Sequence, residues 1–134
     1  MDDYMSRTKH ESIWNANVTG SGGSSDEIDQ DNLEGPLTLN LAARSGGTNT
    51  GSIAVEHAHT SGGSFSAVPT DALFNKVTGE ADSFDDISTS ATDQTLGLDL
   101  SLCRRFIRIT MSGSSLDQNV AASYAAIQQR SSTQ

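Results

Sequence analysis

The chain has 134 residues and a mass of 14.1 kDa, room for one compact domain and not two. Leu, Ile, Val and Phe supply 26 residues, about 19%, just under the level at which a strongly charged chain fails to bury a core, and the net charge is −9. These figures leave two options, a disordered acidic chain or a small domain with a thin core, and they exclude nucleic acid as a partner, because such binders carry a basic patch that releases counterions.

No stretch approaches the roughly 18 to 20 apolar residues of a membrane-spanning helix, so no membrane partner is expected. Residues 1–11 lack the apolar centre of a secretory signal, which implies synthesis in a cytoplasm without secretory targeting. Cys103 is the single cysteine, so an internal disulfide framework and a Cys-based zinc site are both excluded. Asn17-Val18-Thr19 has the form of a glycosylation sequon, without meaning outside a secretory route.

Taken in chain order, residues 1–11 are polar and mixed in charge with no period, which reads as a flexible N-terminal arm. Residues 12–128 form the single β domain, and residues 129–134 a polar C-terminal tail. Ile13-Trp14-Asn15-Ala16-Asn17-Val18 has strand-forming character and runs into the glycine- and serine-rich start of an acidic loop over residues 20–32. Leu37-Thr38-Leu39-Asn40-Leu41 alternates strictly, the period of a half-buried strand. A turn cluster around Gly46-Gly47 leads to Ile53-Ala54-Val55-Glu56-His57-Ala58-His59, and the two segments suggest an antiparallel pair across a glycine loop.

Phe65 to Val68 reads as a short extended piece, and Pro69-Thr70-Asp71 as the start of one helical turn through Leu73 and Phe74. Ser83-Phe84-Asp85-Asp86-Ile87 reads as another short strand. Thr95-Leu96-Gly97-Leu98-Asp99-Leu100 alternates cleanly, and Phe106-Ile107-Arg108-Ile109-Thr110-Met111 places Ile107, Ile109 and Met111 on one face. Residues 120–127 fit either a helix or a strand by spacing; the strand is favoured, since a lone helix after so many strands needs its own face to dock on. Short strands between Gly, Ser and Thr turns give an all-β fold, a small antiparallel β-sandwich of the jelly-roll type with an extended N-terminal arm. Its core is thin because each strand sends only alternate residues inward.

The usual nucleophile, phosphate-loop and dinucleotide signatures are absent, and no enzyme activity or cofactor is expected. His57 and His59 stand two apart on a strand and face the same way, the spacing of a metal pair, but as a bare pair they read more simply as strand-end residues, and no metal is expected. The acidic runs at residues 26–32 and 82–86 do not follow the ordered ligand spacing of a calcium loop and read as solvated loops. Cys103 lies beside Arg104 and Arg105, which favour a thiolate, yet no histidine is near in sequence and an idle thiol is expected. Arg104, Arg105 and Arg108 are half of the six arginines of the chain. They suit bidentate pairing with carboxylates, either of a neighbouring protein or internally with Asp99 or the Asp85 and Asp86 loop.

The ordered set Ile53-Ala54-Val55-Glu56-His57, Gly62-Gly63-Ser64-Phe65-Ser66-Ala67-Val68-Pro69, Gln94-Thr95-Leu96-Gly97-Leu98-Asp99-Leu100 and Cys103-Arg104-Arg105-Phe106-Ile107-Arg108-Ile109 resembles a pattern of small tailed-bacteriophage capsid decoration, or cement, proteins. In that family a strand ending in "QHS", a glycine turn with "F-x-D-V-P" and a strand "D-L-R-x-x-K-R-Y-I-R" occur in this order. The resemblance spans roughly residues 13–127. It departs at His57-Ala58-His59 and in the added acidic stretch of residues 20–32.

The resemblance implies a structural virion protein on the capsid exterior that binds the major capsid protein, joins neighbouring capsomers and forms a homo-oligomer, a dimer or trimer. Candidate capsid or subunit contacts are Tyr4, Met5 and Trp14 as aromatic and apolar anchors and Arg104, Arg105 and Arg108 as a basic stripe. For Trp14 an ordinary place in the core is the slightly favoured reading. A carbohydrate-binding or host-adhesion module of the virion is the alternative, disfavoured by an aromatic content of 5%, since sugar platforms use several exposed rings.

Overall fold

Wherever the sequence alternates apolar with polar residues, the chain is extended, and the apolar set of each strand faces one shared interior. The computed structural model describes residues 4–43, 47–88 and 91–131, with side chains described between residues 7 and 128. Its strands are β1 (Tyr4–Ser24), β2 (Ile28–Asp29), β3 (Leu33–Ala43), β4 (Ser52–Ala58), β5 (Ser66–Ala67), β6 (Leu73–Phe74), β7 (Thr92–Asp99) and β8 (Phe106–Ser131). Two single turns of 3-10 helix, at Thr70–Ala72 and Leu100–Leu102, complete the order. The fold is all-β and antiparallel, a sheet curled into a sandwich-like body.

The organising strand is β8, 26 residues long. Along one edge it pairs first with β1, from Tyr4 opposite Ser131 to Ser24 opposite Thr110, and then with β2, where Ile28 faces Ile107. Along its other edge lie β3, where Ala43 reaches Val120, and then β4, from Ser52 opposite Ser112 to Ala58 opposite Phe106. β3 and β4 therefore sit end to end on β8 and run the same way. The expected antiparallel pair between them does not form: the glycine loop carries the chain onward past a bend in β8 instead of reversing it. β7 pairs with the outer edge of β3, and β6 with β7.

The bend lies where the β1–β8 register jumps from Gly20 opposite Leu116 to Gly22 opposite Ser112. Before it the buried positions of β8 are Ile107, Ile109 and Met111; after it they are Leu116, Gln118, Val120, Ala122, Tyr124 and Ala126. The inward set passes from odd to even numbers, so β8 exchanges its two faces once within the irregular segment between Met111 and Leu116. Ser115 at φ 51° and Gly22 at φ 130° absorb the distortion. The two halves of β8 thus belong to two layers that share one core, with Leu37, Leu39, Leu98, Ile107 and Ile109 wholly buried. Each such side chain stabilises the fold by roughly 1.5–3 kcal/mol relative to an exposed one.

Gln118 is wholly buried beside the bend. Its amide nitrogen donates to the backbone carbonyls of Thr48, Asn49 and Ser88, tying two loops to β8. Its Oε1 has no partner among the described residues.

Several expectations change here. Residues 4–11, read as a flexible arm, are paired residue by residue with β8, because the C-terminal segment supplies a strand of matching length. Residues 129–131, read as tail, belong to that same pairing. Of the acidic loop over residues 20–32, the first part lies in β1, and Ile28 and Asp29 form β2. Residues 83–87 form no strand: Phe84 and Ile87 are buried as plugs, and Ile87 exchanges backbone hydrogen bonds of 2.8 and 2.9 Å with Gly51. The extended segment before Pro69 and the strand over residues 120–127 occur as expected, while the helical turn after Pro69 stops at Ala72, and Leu73 and Phe74, expected in it, form β6 against β7.

Candidate docking surface

The arginine stripe lies where β8 begins. Arg105 and Arg108 are held by β8's neighbours on its two edges, and their partners come from far along the chain. Arg105 grips Asp29 of β2 bidentately, at 2.9 and 3.0 Å, with Asp31 at 3.8 Å. The guanidinium bond holds the Asp29 carboxyl below the usual carboxylate range, against the opposing effect of burial. Arg108 reaches across to Glu56 of β4 at 2.9 Å and lies 4.0 Å over the Phe65 ring, a half-buried cation-aromatic contact. The internal pairing weighed from the sequence exists, but with other carboxylates. Asp99 accepts from the backbone N–H and hydroxyl of Ser101 instead, closing the 3-10 turn.

Arg104 is different. It is exposed, and its side chain has no carboxylate partner among the described residues. Its backbone N–H donates to His57 Nδ1 at 2.9 Å. His57 is 6% exposed, and burial first, then the positive charges of Arg104 and His59, push its pKa down. Both signs favour the neutral ring that this hydrogen bond needs. His59, two residues on, is exposed, so the pair is divided between interior and rim. Among the described residues no group of three or more His, Cys, Asp or Glu is placed to hold a metal ion.

Cys103 is half-buried, and burial followed by the Asp99 carboxylate pushes its thiol up to about 11. The neighbouring arginines therefore do not activate it, since they point to Asp29 and to solvent. Next to it Leu102 is 43% exposed, so Leu102 and Arg104 form an apolar and a cationic projection at the same corner.

Trp14 is 7% exposed and belongs to the core. The register shift between Ser12 and Trp14 turns both Ile13 and Trp14 inward, so the ring is not an exposed anchor. The side chains of Tyr4 and Met5 fall outside those described; their backbone lies in β1, opposite Ser131 and Arg130. The sequence singled out neither Asp29 nor Glu56 as the arginines' partners. An apolar groove lies beside β4, with Val55, Val68, Leu73 and Phe84 in its wall.

No family model and no curated protein matches the sequence. Solved structures do. The SPBc2 prophage-derived protein YomS matches with a TM-score of 0.54 over 92% of this chain and 96% of that one, at 14% identity. The likeness is one of fold, extending over nearly the full length of both chains. A protein of Bacillus endospore appendages, described as disulfide-linked pili, matches at a TM-score of 0.37 and 13% identity, covering 99% of this chain and 92% of that one. That score is too low to carry an argument.

Proposed function

We propose that the chain is a structural component of a bacteriophage particle. It binds the major capsid protein on the outer surface of the head and cements neighbouring capsomers. The observation that carries this reading is the fold shared, nearly end to end, with a prophage-derived protein. The ordered sequence resemblance to capsid decoration proteins points the same way and supplies the finer assignment.

The physical character of the molecule supports a role in binding and not in catalysis. A curled sheet with one core is a rigid body, suited to bridging fixed points on a shell. A net charge of −9 keeps free copies apart at the high concentrations that precede assembly. With Arg105 and Arg108 engaged internally, Leu102 and Arg104 form the docking corner: a guanidinium with no carboxylate partner among the described residues, available to a shell carboxylate, and an apolar contact beside it. Single contacts of this size are weak, and retention comes from several engaged at once. The sugar-binding alternative is not favoured, because every described aromatic ring is buried or half-buried.

Quantitative mass spectrometry of purified particles tests the reading. The chain should be present in a fixed ratio to the major capsid protein, at copy numbers of the same order. Its absence from particles, or trace amounts that vary between preparations, would reject it.

A further inference from the structure

β1 is 21 residues long, and among the described residues it pairs only with β8, with no strand on its other edge. A strand directs alternate N–H and C=O groups to either side, so a long open edge is a template for another strand. The edge is interrupted at Ile13, whose carbonyl accepts the Asp26 N–H at 2.8 Å, and again at the Gly20 to Gly22 irregularity. Ahead of these interruptions Arg7, Thr8, His10, Glu11 and Ser12 are exposed and Lys9 is half-buried. This is the open part.

Charge selects the occupant. In a chain of net charge −9, most surfaces of two copies repel. The open edge instead carries Arg7, Lys9 and His10 against Glu11. Self-pairing in antiparallel registers can be compared directly. Centred on Thr8, it sets Arg7 across from Lys9 of the other copy; centred on Lys9, it sets Arg7 across from Glu11 twice but opposes the two Lys9 side chains. Centred on His10, it sets Lys9 across from Glu11 twice and Thr8 across from Ser12 twice, with the two His10 rings facing each other and no lysine or arginine opposed to another. Lys9 already pairs with its own Glu11 at 3.5 Å, so each cation then lies between two carboxylates, and opposite-charge pairs facing across strands are stabilising.

We propose that the β1 edge over residues 8–12 is a self-association surface, on which a second copy of this chain pairs antiparallel about a two-fold axis at His10, joining two sheets into one. Such an interface is isologous and closes at two copies. The inference is independent of the capsid reading, because it is tested on the purified chain alone.

The test combines sedimentation velocity, from about 1 μM to about 1 mM, with cross-linking through introduced cysteines in a Cys103→Ser background. Residues opposed in an antiparallel pair have Cα atoms about 4.5–5.5 Å apart, within the range a disulfide spans. His10→Cys should oxidise to a disulfide-linked dimer at least tenfold faster than Val77→Cys, a loop-tip control that is 94% exposed. Lys9→Glu should raise the dimer dissociation constant by about tenfold or more, and Lys9→Glu with Glu11→Lys should restore it. The inference is overturned by a chain that stays monomeric throughout, by equal oxidation of the two cysteine variants, or by a dimer indifferent to the charge exchange. It is equally overturned if His10→Cys remains monomeric alone and cross-links only to a shell protein, which would assign the edge to that partner.

Discussion

At His57 a single proton decides whether a hydrogen bond exists. The neutral ring accepts the Arg104 N–H at Nδ1; the imidazolium has no lone pair there and is penalised by burial and by Arg104 and His59. The folded chain thus binds this proton less readily than the unfolded chain, so stability rises with pH across the interval. The contribution is fully present above the ordinary value of 6.5 and is lost as the pH falls below it toward the folded-state value. The melting temperature of the wild-type chain should therefore drop between about pH 7 and pH 5, and His57→Gln should flatten that part of the profile. Parallel profiles for the two chains would show that His57 contributes nothing to it. Asp29 acts in a separate, more acidic window: its lowered pKa gives stability present above 3.8 that disappears as the pH falls through the folded-state value. Neither residue was legible as a partner in the sequence. The arginine cluster is visible as a run of charge, but Asp29 lies 76 positions from Arg105 and Glu56 lies 52 from Arg108, distances that only strand pairing closes.

The bend in β8 is the element on which both layers depend. Gly22 sits at φ 130°, and a Cβ there would run into the Met111 backbone carbonyl. Gly23, the next residue, has only the Val18 side chain at 3.8 Å from such a Cβ, an ordinary contact. Gly22→Ala should accordingly cost about 1–3 kcal/mol for the backbone conformation alone, read as a lower urea midpoint, and Gly23→Ala should cost well under half as much. Equal effects would mean that the bend does not depend on Gly22. This element also marks the limit of sequence reading. Alternation at Leu37 to Leu41, Thr95 to Leu100 and Phe106 to Met111 locates strands, since period two is a local property. It does not identify partners. The glycine and serine residues after Met111 look like a boundary, yet they are the bulge inside one continuous strand, and Tyr4 pairs with Ser131 at the far end of the chain. Residues 4–11 lack alternation because they are polar on both faces of an edge strand, which in sequence looks the same as an unstructured arm.

At the scale of the whole molecule, a thin core, a high negative charge and a long open edge belong together. A small domain buries a modest share of its surface, and partners that bind only the folded state add to its stability by mass action. The proposed dimer and the proposed attachment to a shell would be two such sources. A net charge of −9 sets copies of the chain against one another, while the few cations described lie in internal pairs, on the β1 edge and at the Leu102 and Arg104 corner. The proposal that this corner docks onto a phage head makes the most direct demand on experiment. Purified chain mixed with mature shells that lack it should co-sediment with them to saturation and raise their resistance to heat, and Arg104→Glu with Leu102→Asp should weaken binding at least tenfold while leaving the melting temperature of the free chain nearly unchanged. Shells that gain neither mass nor heat resistance on mixing would contradict the account.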